Sequence, residues 1–453
     1  MSKRQALSAL LLGATLVAAA ALARGPNIPP TGIPPTGTPP RGSAATPWLA
    51  VVAAPAKGRI VPAGADLAAA IAAAGSGDVL LLSPGEYRGP ILIDRPLTLW
   101  GPRSAVVKSS GRGTTIRVSA SCKLLGFTID GSGGRYDTMD AAVKVTADDV
   151  LLEGLRLDEA LFGLLVERSR RVAIRRCEVL GVRDEAVGMR GDGIRLWEVR
   201  ESSIEECRIE YGRDLVVWYS SNNRIAHNNV QHGRYGTHLM YSHDNLIVNN
   251  TYRDNLVGLF IMYSHGIRIE NNLLADSSGG AGLGLGLKES GDIDVTRNVF
   301  LRNSVGVFLD TSPLQVTNHN RFTENVFRLG GLGIEFHSSP KRTHLLRNSF
   351  RDNAEQVRVD GRGDALGIEW SGNHFDDYQG YDLDDDGVGD LPYELRSLSN
   401  RLIAKRPDLQ FFRGTLALDL VDVASEVSPL LAPRPVLKDE RPRMSPMEIP
   451  RAD

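Results

Sequence analysis

Two stretches of the sequence, Leu239-Met-Tyr-Ser-His243 and Ile261-Met-Tyr-Ser-His265, are nearly identical and lie 22 residues apart. They belong to a longer repeat, in which a Gly is followed six residues later by a Ser. The pairs are Gly163/Ser169, Gly236/Ser242, Gly258/Ser264, Gly284/Ser290, Gly306/Ser312 and Gly333/Ser339. After each Gly, apolar and variable positions alternate, which is the period of a β-strand. Short strands in a repeat of about 22 residues cannot bury their apolar face alone, so the repeats must stack.

The repeat predicts an all-β protein, a single-stranded right-handed parallel β-helix of about a dozen turns between residues 97 and 375. Inward Leu, Ile and Val fill the core. Asn recurs fourteen residues after the first repeat position, at Asn228, Asn250, Asn272 and Asn298. We expect these side chains to form a ladder of hydrogen bonds from turn to turn. Residues 66–74 predict a short amphipathic helix that caps the open N-terminal end.

Composition excludes several classes of protein. The 453 residues are 42% hydrophobic and carry a net charge of −2, which excludes disorder along the whole chain. The 47 Gly follow no period of three, so the chain is not collagen. No basic excess suggests nucleic acid as a partner.

The N-terminal stretch predicts that the chain is secreted. Lys3 and Arg4 precede an apolar stretch that ends in Ala21-Leu-Ala23, a pattern typical of a signal peptide cut after Ala23, although a membrane anchor is the alternative. The expected location is therefore the periplasm. The predicted organisation is a signal peptide at 1–23, a Pro-rich linker at 24–47, an N-terminal cap with the first turns at 48–96, the β-helix at 97–375, a C-terminal capping region with an acidic loop at 376–433, and a tail at 434–453.

Stacking converts sequence spacing into neighbours on the surface. Because side chains alternate along a strand, His238, Met240 and Met262 are expected to face outward, with Met240 and Met262 one turn apart. His243 is expected to lie next to His265 at the following bend. Thioether and imidazole ligands suit Cu(I) better than hard cations, so these five residues are a candidate copper site. A partner-binding patch, plain packing, and ligand binding by the neighbouring Trp197 and Trp218 are the alternatives.

A second candidate metal site is the acidic stretch that begins at Asp382. Asp382, Asp384, Asp386 and Asp390 take positions 1, 3, 5 and 9 of a calcium loop, with Gly at position 6. Position 12 is Tyr393 instead of Glu, so the bidentate closing ligand is missing. The stretch either binds calcium or is an acidic turn.

The cysteines allow two interpretations. Cys177 and Cys207 both fall at the ladder position and are expected to be stacked, so they form either a disulfide or buried free thiols. No C-x-x-C pair is present, which argues against a thiolate zinc or redox site.

Three stretches resemble the NosD family of periplasmic β-helical proteins that act in nitrous oxide reductase maturation. The stretches are residues 234–245 with their echo at 260–265, Arg190-Gly-Asp-Gly-Ile194 with the later Tyr211-Gly-Arg-Asp214, and residues 373–393. The resemblance implies a non-enzymatic accessory role beside an ABC transporter made of a cytoplasmic ATPase and a membrane permease. It also implies that copper comes from a membrane-anchored copper chaperone and goes to the copper centres of nitrous oxide reductase.

Two rival functions remain open at this point. A carbohydrate-active β-helix enzyme, of the uronan lyase or C5-epimerase type, would use Trp197 and Trp218 to stack sugars and Asp310, Glu335 and His337 for acid–base chemistry. Against it, these polar groups are spread over two turns separated by a long insertion. The other rival is a scaffold that binds protein partners and no metal.

Overall fold

The computed structural model describes residues 46–338, 340–360, 363–412, 415–427 and 433–447. The predicted signal peptide and residues 24–45 of the predicted linker lie outside the described residues.

Three parallel sheets run the length of the described chain and form a right-handed parallel β-helix, as predicted. Each turn passes through sheet A, then sheet B, then sheet C. The strands of sheet A are Arg59–Val61, Asp78–Leu82, Leu97–Trp100, Cys122–Leu125, Leu151–Glu153, Ala173–Arg175, Ser203–Glu205, Arg224–Ala226, Leu246–Val248, His265–Glu270, Gly291–Thr296, Asn320–Thr323, Thr343–Leu346 and Glu369–Ser371. Those of sheet B are Gly85–Arg88, Ala105–Lys108, Thr128–Asp130, Arg156–Asp158, Glu178–Leu180, Arg208–Glu210, Asn229–Gln231, Thr251–Arg253, Leu273–Ala275, Val299–Leu301, Val326–Arg328, Ser349–Arg351 and His374–Phe375. Those of sheet C are Ile91–Ile93, Ile116–Val118, Ala141–Val145, Phe162–Glu167, Ile194–Trp197, Asp214–Trp218, Tyr235–Met240, Val257–Met262, Leu283–Lys288, Val305–Asp310, Leu332–His337 and Glu355–Asp360.

The α-helices of the described residues lie near the two ends of the solenoid. The α-helices are Leu67–Ala72, Leu398–Lys405 and Leu416–Val427, and 3-10 turns occupy Pro47–Leu49, Val187–Met189 and Pro407–Phe412. The first helix confirms the predicted N-terminal cap. The Asp66 side chain accepts a hydrogen bond from the Ala69 backbone N–H at 3.0 Å, and Leu67 and Ile71 are buried.

Rows of identical residue types fill the interior because each turn sits directly on the last. The rings of Phe300, Phe327, Phe350 and Phe375 stack face to face at centroid distances of 4.8, 4.8 and 5.0 Å. Tyr393 continues the row, with its ring 3.9 Å from that of Phe375. The aromatic row therefore joins the last turns of the solenoid to the segment that follows them.

The predicted Asn ladder is present and buried. The Asn250 side chain accepts from the Asn228 backbone N–H at 2.9 Å, and the Asn272 side chain accepts from that of Asn250 at the same distance. The ladder continues downward in the same way through Asn298, Asn325, Asn348 and Asn373.

Part of the segment predicted as a tail packs on the end of the solenoid. Leu437–Asp439 pairs antiparallel with Tyr393–Leu395, and Leu437 is fully buried. The buried carboxylate of Asp439 accepts from the Asn373 backbone N–H at 3.0 Å and from its side-chain amide at 2.8 Å. The Pro and charge content of this segment suggested a chain without a core. Composition alone cannot predict that the Asp439 carboxylate accepts from the Asn373 donors at the end of the Asn ladder.

All three cysteines are buried free thiols in this structure. Of the two interpretations of Cys177 and Cys207, the structure therefore has free thiols and not a disulfide. Cys177 and Cys207 donate weakly to backbone carbonyls, at 3.3 Å to Arg175 and 3.2 Å to Glu205. Burial raises the pKa of the Cys122 thiol to about 12 and that of Cys207 well above its usual range.

Candidate functional site

The stacking predicted for the two Met residues is confirmed. Met240 and Met262 are paired across neighbouring strands of sheet C, as are Leu239 and Ile261. Leu239 and Ile261 point into the core and are fully buried, whereas the two Met residues are half-buried on the outer face.

His238 also lies on the outer face but is only 6% exposed. Its ring lies 4.9 Å from the ring of Tyr235, 5.4 Å from Trp218 and 6.1 Å from Phe260, measured between centroids. These aromatic neighbours exclude water from one side of the imidazole. Burial lowers the pKa of His238 to about 4, so the ring is neutral at neutral pH.

The two ring nitrogens of His238 have different surroundings. Nε2 lies 3.4 Å from the Sδ atom of Met262. Nδ1 is buried and has no hydrogen-bond partner within the described part of the chain. A buried nitrogen without a partner is costly, and a ligand is one way to satisfy it. A neutral imidazole next to a thioether, with a second thioether one turn away, fits a soft cation such as Cu(I).

His243 and His265 form a separate pair. Their rings stack at a centroid distance of 3.8 Å with 13° between the planes, and the His265 backbone N–H donates to His243 Nδ1 at 3.3 Å. The bend at Tyr241 lies between Met240 and this pair, and His265 begins a strand of sheet A. The five residues predicted as one site therefore form two groups, one on the outer face of sheet C and one at the bend that leads into sheet A.

Two buried carboxylates, to which the repeat pattern assigns no role, lie near the start of neighbouring strands of sheet C. Asp214 begins the strand next to that of His238, and Asp192 precedes the strand of the turn before. Asp192 accepts from the Arg213 side chain at 2.8 Å, and Asp214 accepts from Arg234 at 3.0 Å. Both carboxylates are almost fully buried. Burial, against the opposing charge of Arg213, raises the pKa of Asp192. Both Asp residues lie in stretches that resemble the NosD family, which is the signal that could have marked them.

Arg195 joins this charged group to the aromatic residues. Its guanidinium carbon lies 4.8 Å from the ring centroid of Trp197 and 4.9 Å from that of Trp218. Arg195 Nε and Trp218 Nε1 are buried without partners among the described residues, as is His238 Nδ1. Three unpartnered nitrogens thus lie in one continuous set of contacts, from Arg195 through Trp218 to His238.

The residues proposed for sugar chemistry do not form a comparable site. The Trp218 ring is enclosed by Arg195 on one side and His238 on another. Asp310 lies 3.9 Å from the Lys288 amine, and Glu335 lies 3.6 Å from the Arg358 guanidinium. Each carboxylate is therefore paired with a cation.

The acidic loop brings three of its four predicted ligands together. One carboxylate oxygen each of Asp382, Asp384 and Asp386 lies within 4.8 Å of the others. The charge of Asp386 is the main reason that the pKa of Asp384 is raised. Asp390 instead accepts from the Leu383 backbone N–H at 2.7 Å. Tyr393, at position 12, is buried against Phe375 and is unavailable to close the loop.

None of the helices in the described residues is long and apolar enough to span a lipid bilayer.

Comparison with known proteins confirms the resemblance predicted from the sequence. Residues 171–380 match the NosD family, described as periplasmic copper-binding protein. A probable ABC transporter binding protein NosD of Stutzerimonas stutzeri is 27% identical over 375 residues, which cover 80% of this chain and 86% of the relative. A protein of the same name from Pseudomonas aeruginosa is 26% identical over 393 residues, covering 80% of this chain and 87% of the relative.

A solved structure supports the fold alone. The catalytic domain of a GH87 α-1,3-glucanase in complex with tetrasaccharides aligns with a TM-score of 0.51 at 11% identity, over 71% of this chain and 70% of that chain.

Proposed function

We propose, from the confirmed resemblance to the NosD family, that this chain is a non-enzymatic periplasmic accessory protein of an ABC transporter that handles copper. In this proposal it receives copper from a membrane-anchored chaperone and passes it on during assembly of the copper centres of nitrous oxide reductase. The transporter partners are a membrane permease and its cytoplasmic ATPase.

The observation that carries the proposal is the contact between His238 Nε2 and Met262 Sδ at 3.4 Å, which brings an imidazole nitrogen and a thioether together. His238, Met240 and Met262 would hold Cu(I), with a neutral imidazole and two thioethers as soft ligands. The aromatic residues around His238 exclude water and so protect the reduced ion. His243 and His265 are a second candidate for copper, on the neighbouring sheet.

Competition for Cu(I) against a chromogenic chelator tests this site. The Met240→Leu, Met262→Leu double variant keeps the volume and apolar character of both side chains but removes both sulfurs. We expect at least about a tenfold loss of affinity, because removal of groups that merely orient ligands already costs 10–100-fold. The matched control is Met189→Leu with Met444→Leu, which changes two exposed Met residues elsewhere. Equal affinities for the wild type and both double variants would exclude the site.

The contact with the transporter is proposed to lie at the C-terminal end of the solenoid. Leu416, Leu420 and Val423 are 74, 57 and 53% exposed and follow one another at helical spacing on the same face. Phe411 and Phe412 beside them are 88 and 49% exposed. An exposed apolar stripe of this size is typical of a protein interface, and the relatives are named ABC transporter binding proteins.

Co-purification in mild detergent with the permease subunit tests the docking surface. Leu420→Asp places a charge in the stripe and is expected to abolish co-purification without unfolding the chain, since the side chain is exposed. Val316→Asp is the control, because Val316 is 81% exposed but lies in a loop of the solenoid. Retention of the permease by the Leu420 variant would contradict the proposed surface.

Calcium binding by the acidic loop remains a structural proposal. Asp382, Asp384 and Asp386 would supply hard oxygen ligands that hold the turn at the end of the solenoid.

A further inference from the structure

A short chain of polar contacts crosses three consecutive turns on the outer face of sheet A. His319 Nδ1 lies 3.0 Å from His344 Nε2, and His344 Nδ1 lies 2.7 Å from Glu369 Oε2. The two imidazole rings are close to parallel, with 26° between their planes and 5.2 Å between centroids. Both His residues are half-buried.

The backbone holds these side chains in fixed positions. His344 and Glu369 are paired across neighbouring strands. His319 directly precedes Asn320, which is paired with Thr343 in the same sheet. The His319 backbone N–H also donates to the Asp292 side chain at 2.9 Å.

The hydrogen bonds define which nitrogens carry protons. An ionised Glu369 can only accept, so His344 Nδ1 donates to it. In the neutral ring, His344 Nε2 then presents its lone pair, and His319 Nδ1 donates the proton between the two rings. A carboxylate that fixes the tautomer of a His and directs its other nitrogen outward is the usual second shell of a metal-binding His.

The charges around the pair permit a cation. Asp292, Asp294 and Glu369 are the nearby carboxylates. Arg321 lies 3.5 Å from Asp294, and Arg342 donates to the backbone carbonyls of residues 313, 315 and 318. Arg321 is paired with His344 across neighbouring strands, and its charge is balanced by Asp294. Asp292 and Glu369 therefore remain as the carboxylates that favour a cation beside the two imidazoles.

We propose that His319 Nδ1 and His344 Nε2 bind a divalent transition-metal ion of the Zn²⁺ or Cu²⁺ class, with Glu369 as the positioning residue. Two nitrogens on a tetrahedral Zn²⁺ lie about 3.3 Å apart, because each Zn–N bond is about 2.0–2.1 Å. The present separation of 3.0 Å therefore needs to open by a few tenths of an ångström, and the two rings must rotate so that both lone pairs point at the ion. On binding, His319 moves its proton from Nδ1 to Nε2, so both rings remain neutral. Solvent completes the coordination.

This site differs from the proposed Cu(I) site in place and chemistry. It lies on sheet A, contains no sulfur, and selects a borderline cation instead of a soft one. Its presence does not depend on the role proposed for His238 and the two Met residues.

Titration of the full chain with Zn²⁺ by calorimetry tests the proposal, in millimolar Ca²⁺ to saturate the acidic loop. We expect His344→Asn to lose the Zn²⁺ site and His319→Asn to weaken it at least tenfold. We expect Glu369→Gln to weaken binding about tenfold, as removal of a second-shell partner does. The Glu369 side chain is 55% exposed, so this variant folds even if a His variant does not.

Two controls separate this site from the others. His227→Asn removes one exposed His from the bend between sheets A and B, and Met240→Leu with Met262→Leu removes the thioethers. Both variants should bind Zn²⁺ as the wild type does. Nitrogen hyperfine splitting in the electron paramagnetic resonance spectrum of bound Cu²⁺, lost in His344→Asn, would support the assignment. Zn²⁺ affinity unchanged in both His344→Asn and Glu369→Gln would overturn it.

Discussion

Acid should destabilise the chain through His238, and the size of the effect follows from the site. The ring is buried among Tyr235, Trp218 and Phe260, and burial lowers its pKa from 6.5 to about 4. Above pH 6.5 the imidazole is neutral in the folded and the unfolded chain, so it does not affect stability there. Between pH 6.5 and 4, the unfolded chain takes up a proton at His238 that the folded chain excludes. The free energy of unfolding therefore falls as the pH falls through this range, and the loss is complete below about pH 4.

The loss in the free energy of unfolding is large enough to measure. One pKa unit corresponds to about 1.4 kcal/mol, so the folded chain loses about 2 kcal/mol between pH 6.5 and 5 and about 3 kcal/mol by pH 4. Asp214 opposes the shift, whereas Arg234 and Arg213 add to it.

Urea unfolding at pH 7 and pH 5 measures the effect when wild type is compared with His238→Gln, which cannot titrate. The wild type should lose about 2 kcal/mol more than the variant over this interval. His227→Gln, at an exposed position, should behave as the wild type. Equal losses for wild type and His238→Gln would refute the burial argument. A corollary concerns copper: protons should not compete for His238 at pH 5 to 7, so Cu(I) affinity should stay constant over that range.

Three further outcomes are expected. Asn272→Ala removes a buried side chain that donates to the Ile247 carbonyl at 3.0 Å and accepts from Asn250 at 2.9 Å, so thermal melting should show a loss of about 3 kcal/mol or more. Calcium should raise the melting temperature of the wild type but not of Asp384→Asn; an identical rise in both would exclude the acidic loop. The three Cys thiols should resist a thiol reagent in the folded chain and all react in urea, whereas a single reactive thiol would reveal a disulfide.

The fold was predictable because each turn of a β-helix repeats the same pattern of apolar residues and bends. The Gly-to-Ser spacing set the alignment of each turn on the next, and twelve strands of sheet A fall between Leu97 and Ser371, as the turn length implied. That alignment also placed Met240 beside Met262 correctly. It also placed His243 beside His265 at the following bend. It could not show that this bend separates the pair from Met240, because the direction of a side chain after a bend depends on backbone angles.

The features that could not be predicted from the sequence depend on contacts between residues in different turns. The burial of Asp192 and Asp214 requires Arg213 and Arg234 to reach back across turns. His319 and His344 are 25 residues apart, close to the length of one turn, but no recurring residue type marks their positions. Asp439 is 66 residues from the Asn373 that it completes. No local sequence pattern predicts a hydrogen bond between residues so far apart in the chain.

The position of Asp439 has a consequence for how copies of this chain meet one another. A stack of turns that stopped at Asn373 would leave its backbone and amide donors unpaired at an open edge, and such an edge invites pairing with another chain. The Asp439 carboxylate accepts hydrogen bonds from both Asn373 donors, and an ionised carboxylate has no donor to offer to a further turn. The C-terminal edge of the solenoid is therefore closed, and a chain shortened before residue 433 is expected to self-associate through that edge, which size-exclusion chromatography would measure.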